Sequence, residues 1–287
     1  SSLNKTPGVL WKKPIPGSGY LQQIAFGKEQ LSVVIGNVLN LVDRQGNVTS
    51  SYEATDAQSL SAPIADTSGN FFVGGTYYRS IDSSGKERWK VKLGKNLIPY
   101  YSSTPVSNSI MAPDGTVYFA AGDRTLYALR TTDGSLVWKK PLAMASNDLP
   151  ALGLGVGDRL FVGSMPVLTA DGTALNSLGR NGAPFTSVDT AGYSSFLVGW
   201  NTISDKNPPN AHLMDSCGKP LSWDFPAGVR GVSLVGYSDE MIVRGGDGAK
   251  SGWVYATDGK LMKGPAAVAM ITSLGADGTI YASQCAH

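Results

Sequence analysis

Histidine and cysteine are scarce in this chain: its 287 residues include two of each. A zinc or iron site needs several converging histidine, cysteine or carboxylate ligands. A Ser-His-Asp triad would have to use His212, because His287 is terminal, and no Gly-x-Ser-x-Gly turn is present to expose a nucleophilic serine. We therefore predict no metal ligands and no catalytic residues, and we interpret His212 as structural or exposed.

Charge and long apolar runs are also limited. Charged residues make up 16% of the chain, and 24 basic residues nearly balance 22 acidic ones, giving a net charge of +2. The basic residues are scattered, which argues against a nucleic-acid partner. No apolar run approaches the roughly 18 residues that cross a bilayer, so we predict no transmembrane segment. Apolar residues do not keep helical spacing over three turns anywhere, which argues against a helical fold.

Glycine, in contrast, is abundant, with 35 residues, and many glycines close short turns that contain aspartate. The clearest stretch, residues 112–138, predicts three strands around 117–119, 126–129 and 136–138, because β-branched and aromatic residues are enriched there. A turn precedes each strand, at Asp114-Gly115, Gly122-Asp123 and Asp133-Gly134. Glycine suits these turns because it accepts the positive φ that a tight hairpin needs.

This unit recurs about every 43 residues, the period of a four-stranded propeller blade. The outer turn of the unit begins at Asp43, Asp82, Asp133, Asp171, Asp215 and Asp258. The hairpin before it recurs near Gly27, Asp66, Asp114, Gly157, Ala191, Tyr237 and Asp277. The sequence therefore contains seven first hairpins and six outer turns. The missing outer half is found at the start of the chain, where residues 5–15 resemble residues 132–142.

The repeat predicts an all-β fold: a seven-bladed β-propeller of four-stranded antiparallel blades, forming a single domain over residues 1–287. The predicted blades are 18–50, 58–93, 104–142, 150–178, 184–225 and 230–264, and the seventh joins 268–285 to 1–15. Pairing the first strand with the last sheet would close the ring and remove exposed sheet edges.

Four tryptophans, Trp11, Trp89, Trp138 and Trp223, recur on the last strand of the unit. We predict that they fill the space between adjacent blades, because they recur with the blade and do not cluster as a ligand cage would.

The two cysteines, Cys217 and Cys285, fall in blades five and seven of this register, on opposite faces. This separation far exceeds the ~7 Å between Cα atoms that a disulfide tolerates, so an intrachain bridge is disfavoured.

Several segments resemble the repeat of pyrroloquinoline-quinone-type (PQQ-like) β-propellers. They are Gly115-Thr116-Val117-Tyr118, Leu126-Tyr127-Ala128-Leu129, the segment 84–89 that ends in Trp89, and Gly278-Thr279-Ile280-Tyr281. That family contains quinoprotein dehydrogenases, which hold their quinone against adjacent cysteines with Ca²⁺, and non-catalytic binders such as the lipoprotein of the outer-membrane barrel-assembly machinery and kinase sensor domains. Because this chain has no adjacent cysteines, the resemblance implies a non-catalytic member without a cofactor.

An enzyme remains the alternative, either a quinone-dependent oxidoreductase or a hydrolase or lyase whose acids come from different blades and line the central channel. The Asp-x-x-Gly turns could suggest calcium, but a calcium cage needs six or more oxygen ligands. Each turn usually offers a single acid, and Asp with Gly is what a hairpin needs, so we interpret these aspartates as turn residues.

Aromatic residues and arginines fall on one predicted face of the propeller, formed by the turns between second and third strands and by the connections between blades. Such residues are enriched at binding hot spots, since they bury a large area and keep a polar group. The predicted partner-binding residues are Tyr77, Tyr78, Arg79, Tyr100, Tyr101, Arg124, Trp200, Asp205, Lys206, Arg230 and Trp253.

Together these observations predict a monomeric binding or scaffold protein that is located outside the bacterial cytoplasm, in the periplasm, at the outer membrane or secreted. Its predicted partner is a protein or a cell-surface glycan.

Overall fold

The computed structural model describes residues 11–19, 21–95, 97, 106–142, 149–150, 152–155, 159–162 and 168–174, and beyond these the backbone of ten strands. Every regular element among these residues is a β-strand, which confirms the all-β prediction for the described part of the chain. The chain divides into two compact units, Val9–Leu152 and the remainder.

Unit Val9–Leu152 contains three four-stranded antiparallel sheets in which sequence neighbours pair. Sheet one comprises β1 (Leu21–Phe26), β2 (Leu31–Ile35), β3 (Val38–Val42) and β4 (Val48–Glu53). Sheet two comprises β5 (Ile64–Ala65), β6 (Phe71–Gly74), β7 (Tyr77–Ile81) and β8 (Glu87–Lys92). Sheet three comprises β9 (Ile110–Met111), β10 (Thr116–Ala121), β11 (Thr125–Arg130) and β12 (Leu136–Pro141). These sheets match the first three predicted blades.

The remainder of the chain continues the same pattern. Its strands are β13 (Leu152–Gly155), β14 (Arg159–Val162), β15 (Phe185–Val188), β16 (Ser194–Leu197), β17 (Ala211–Met214), β18 (Pro220–Asp224), β19 (Val229–Val235), β20 (Glu240–Gly245), β21 (Trp253–Ala256), β22 (Leu261–Met262), β23 (Met270–Leu274) and β24 (Ile280–Ser283). Among the described residues, β15–β18 and β19–β22 form four-stranded sheets, and β13–β14 and β23–β24 form two-stranded ones.

Aspartates build the hairpins, as predicted. One carboxylate oxygen of Asp66 accepts hydrogen bonds from the backbone N–H groups of Ser68 (2.9 Å) and Asn70 (2.8 Å), and Asp43 and Asp82 repeat this arrangement. The side chains of Asn47 and Ser84 donate further hydrogen bonds to Asp43 and Asp82, and these bonds, together with the backbone ones, favour the charged form and lower the pKa of both carboxyls.

Sheet two lies between sheets one and three, and each of its faces packs against one of them. One face packs with sheet one through Phe71, Val73 and Ile81 against Leu39 and Leu41. The other face of sheet two packs against sheet three.

Aromatic rings stack between sheets two and three. The ring of Tyr78 lies parallel to that of Phe119, with centroids 3.9 Å apart, and Phe119 stacks in turn on Tyr127 at 5.2 Å. Burial in this stack raises the pKa of Tyr78. These contacts explain the aromatic enrichment of the repeat as packing between blades.

Trp89 packs against the apolar cluster between sheets two and three. Its indole Nε1 donates to the backbone carbonyl of Thr131 in sheet three at 3.1 Å. Its ring lies so close to Gly134 that a Cβ on that glycine would be 2.7 Å from Trp89 Cε3. Trp138 lies on β12 with its ring 5.7 Å from that of Tyr118.

Trp11 makes the same contact at the start of the described chain. Its Nε1 donates to the carbonyl of Arg44 at 2.9 Å, and its ring lies 2.8 Å from the position of a Cβ on Gly46. The described side chains do not include Trp223, residues 5–10 or the two cysteines.

Candidate functional site

The predicted binding face corresponds to one end of the sheets, which we call the loop end: the β2–β3, β6–β7 and β10–β11 turns and the connections that leave β4, β8 and β12. In each sheet the departing chain is bonded to the turn of its own sheet. Ala54 N–H donates to Asn37 O at 3.0 Å, Leu93 N–H to Thr76 O at 3.4 Å, and Leu142 N–H to Arg124 O at 2.8 Å. Asn37, Thr76 and Arg124 are therefore equivalent positions. We call the opposite end, formed by the aspartate turns, the hairpin end.

Arg124 is the exposed side chain at this position in sheet three. It is the one non-glycine residue with positive φ, 59°, in the part of the chain that the structure describes. A left-handed conformation is costly for residues with a side chain, so its surroundings must hold it there.

Asp123 supplies that support. One of its carboxylate oxygens accepts from Gly94 N–H at 2.9 Å and from the hydroxyl of Tyr127 at 2.5 Å, while the other accepts from Thr125 N–H at 3.1 Å. Burial and the Asp123 carboxylate raise the pKa of Tyr127 to about 12. The bond to Gly94 also fastens the connection after β8 to the β10–β11 turn.

Tyr77, Tyr78 and Arg79 were predicted to contact a partner together, and the structure separates them. Tyr77 is half-buried at the loop end, with the Lys90 ammonium 5.2 Å from its ring centre. Tyr78 is fully buried between sheets two and three, and the Arg79 side chain is 1% exposed. The prediction is wrong for Tyr78 and Arg79, because alternate residues of β7 point into the two packed faces of the sheet.

Arg79 instead joins sheets one and two. Its guanidinium donates to the hydroxyl of Tyr52 at 2.8 Å and to the carboxylate of Asp56 at 2.7 Å, and Tyr52 donates onward to Glu87 at 2.5 Å. The Arg79 Cζ also lies 5.7 Å from the ring centres of both Tyr52 and Tyr77. Burial and the bond to Glu87 raise the pKa of Tyr52.

We call Tyr52, Asp56, Arg79 and Glu87 the inter-sheet clamp. Sequence reasoning missed it because its members come from β4, the following connection, β7 and β8, and no spacing in the chain marks them as partners. An arginine inside an otherwise apolar strand was the available signal, since a buried guanidinium needs acceptors.

The other predicted contact residues fall outside what the structure describes or are defined by backbone alone. Tyr100, Tyr101, Trp200, Asp205 and Lys206 lie outside the described residues, and Arg230 and Trp253 lie on β19 and β21. Within the described residues, no group of three or more His, Cys, Asp or Glu side chains is placed to hold a metal ion. The same residues include no helix long and apolar enough to span a bilayer.

Repeated four-stranded antiparallel sheets, joined by aspartate turns and packed through tryptophan, define a β-propeller protein with PQQ-like repeats. The model of the family described as outer membrane protein assembly factor BamB matches residues 10–183. The chain therefore belongs to this family.

A solved structure supports the fold. The crystal structure of BamB from Moraxella catarrhalis superposes with a TM-score of 0.60 at 14% sequence identity, covering 91% of this chain and 84% of that one. No curated protein matches the chain.

Proposed function

We propose that this protein is a non-catalytic, extracytoplasmic binding protein that takes part in outer-membrane protein assembly by binding a protein partner. The family match over residues 10–183 carries the proposal. The described residues add support, because the turn aspartates and the inter-sheet clamp are hydrogen-bonded within and between the sheets, as a rigid platform requires.

We further propose that the whole chain forms one domain, a closed ring of seven blades. The contact of Trp11 supports closure. Trp11 lies against the Arg44–Gly46 turn of sheet one in the way that Trp89, on the last strand of sheet two, lies against the Thr131–Gly134 turn of sheet three. A segment that ends in such a tryptophan is the outer strand of a preceding blade, which here would be the seventh.

The partner would dock on the loop end. Thr76 and Arg124 occupy equivalent exposed positions there, and Tyr77 offers a half-buried aromatic ring beside them. The rigid backbone of these turns favours binding, because little conformational entropy is lost on association. Tyr100, Tyr101, Trp200, Asp205, Lys206, Arg230 and Trp253 remain proposed contacts of the same face.

Site-specific photo-crosslinking tests the docking face. A photoreactive residue is placed at Thr76 or Arg124, and as a matched control at Ser83 or Thr132, which are exposed at the hairpin end. In cells, the loop-end positions should yield a discrete adduct with a protein of the envelope fraction, and the control positions should not. Equal adducts from both ends, or adducts from the hairpin end alone, would contradict the proposal.

A further inference from the structure

Positive charge is concentrated in sheets two and three. Residues 82–142 contain nine basic and five acidic residues, a net charge of +4, whereas the whole chain carries +2. Three of the five acids, Asp82, Asp114 and Asp133, lie in hairpin-end turns, where their carboxylates accept backbone N–H bonds. The two ends of these sheets therefore differ in charge.

Four exposed cations lie at the loop end of sheets two and three. Lys92 ends β8 and pairs with Tyr77, on the face toward sheet one, and Lys95 lies just beyond β8, next to Gly94, whose N–H is bonded to Asp123. Arg124 follows Asp123 in the turn. Lys139 on β12 lies directly across from Tyr127, whose hydroxyl is bonded to the same carboxylate. We call Lys92, Lys95, Arg124 and Lys139 the basic corner.

Within the described parts of the chain, no carboxylate forms an ion pair with the basic corner. Asp123 is the acid at its centre, and its oxygens are engaged by Gly94, Thr125 and Tyr127. The ion pairs between described residues involve Arg44, Arg79 and Lys90, none of which belongs to the corner.

An apolar side chain lies within the same surface. Leu97 is 55% exposed, and its backbone N–H donates to Gly122 O at 2.7 Å, which holds it beside the β10–β11 turn. This bond keeps an exposed apolar side chain on the same surface as Lys95 and Arg124.

We infer that the basic corner and Leu97 contact the surface of a bilayer that contains anionic phospholipids. Three of the four cations are lysines, which act as point charges and attract headgroups without needing a fixed partner geometry. Leu97 would enter the boundary between headgroups and acyl chains. An acidic protein surface is the weaker match, since bidentate carboxylate recognition favours arginine and the corner holds only Arg124. The inference shares Arg124 with the proposed docking face, but it rests on charge and exposure, whereas the proposed function rests on the family match.

Vesicle sedimentation tests this inference. Purified protein is titrated with vesicles of phosphatidylglycerol and phosphatidylcholine, and with vesicles of phosphatidylcholine alone. We expect binding to the anionic vesicles only, weakening steeply between 20 and 150 mM salt because the screening length shortens to about 8 Å. A double reversal, Lys95→Glu with Lys139→Glu, should weaken this binding about tenfold or more, since each basic residue near an anionic surface contributes separately.

Two matched variants keep the result interpretable. Lys28→Glu with Lys86→Glu changes the net charge equally at the hairpin end and should bind like the wild type. Lys95→Arg with Lys139→Arg keeps the charge and should also bind normally. Absent vesicle binding, or equal loss in both reversals, overturns the inference. Binding to polyglutamate without binding to vesicles also overturns it, and assigns the corner to an acidic protein. None of these results alters the crosslinking outcome at Thr76, so failure of this inference is distinguishable from failure of the proposed function.

Discussion

At the scale of single residues, the hairpin-end glycines have two separate reasons to be glycine. Gly69 and Gly134 both have positive φ, 88° and 75°. Only Gly134 is also crowded, because a Cβ there would lie 2.7 Å from a ring carbon of Trp89, whereas at Gly69 the nearest atom would be 3.7 Å away. Comparing Gly69 with Gly134 therefore separates two roles of a turn glycine: adopting a positive φ, and leaving space for a tryptophan ring.

Alanine substitution at these two positions should therefore have unequal effects. Gly69→Ala should lower the free energy of unfolding by about 1 kcal/mol, the cost of a side chain at positive φ. Gly134→Ala should lower it by about 1–3 kcal/mol more, because Trp89 must shift. Urea denaturation measures both. Equal losses of unfolding free energy in the two variants would mean that Trp89 shifts to accommodate the new Cβ without destabilising the protein.

Tyr127 should make stability sensitive to alkaline pH. Its pKa is raised to about 12 in the folded protein, against about 10 when unfolded. The neutral tyrosine therefore stabilises the fold fully below pH 10, and this contribution is lost as the pH rises from 10 to 12. Tyr127→Phe should flatten the decline in urea midpoint over that range. A variant that declines as steeply as the wild type would assign the sensitivity to other groups.

At the scale of strands and sheets, the inter-sheet clamp is an ionic contact within an otherwise apolar interface. Arg79 is held by Asp56 and Tyr52 from one sheet and is close to Glu87 of its own, at 3.9 Å. Removing one member of a buried pair leaves an uncompensated polar group.

Arg79→Met should lower the free energy of unfolding by about 3 kcal/mol, because Asp56 and Tyr52 lose their donor. Lys90→Met is the control: Lys90 approaches the same Tyr77 ring but is exposed, so it should cost about 1 kcal/mol or less. Thermal and urea unfolding measure both variants. An Arg79→Met protein as stable as the wild type would show that the clamp is energetically neutral.

The amino-acid sequence predicted the strands well, but it did not predict which side chains contact one another across sheets. The strands predicted around 117–119, 126–129 and 136–138 lie within β10, β11 and β12, because β-branched and aromatic residues and Asp-Gly turns are local signals. The packing role of Trp89 followed from its recurrence. The burial of Tyr78 and Arg79 did not follow, since the face of a strand that a residue occupies depends on the neighbouring sheet. The clamp and the basic corner were missed for the same reason: their members are distant in the chain.

At the scale of the whole molecule, the proposed closed single domain should unfold as one unit. We predict a single calorimetric transition, with calorimetric and van't Hoff enthalpies in agreement. Two resolved transitions would instead indicate that Val9–Leu152 and the remainder are independent domains.

Trp11→Ala tests ring closure within the same experiment. If Trp11 belongs to the outer strand of the last blade, its truncation should lower the single transition by several degrees without splitting it, since about 3 kcal/mol of packing is lost. Trp11→Phe should retain part of that stability. If Trp11→Ala instead affects only a small transition at lower temperature, the segment that contains Trp11 packs on the outside of the domain and does not close the ring.

The hydrogen bonds from Ala54, Leu93 and Leu142 to the turns of their own sheets have a consequence for engineering and for divergence. Each bond fastens the departing chain to its own sheet, so the four strands are held together before the connection begins. Such connections tolerate insertion and replacement. A recognition loop inserted beyond Leu97 would therefore leave the hydrogen bonds of Leu93, Gly94 and Leu97 in place.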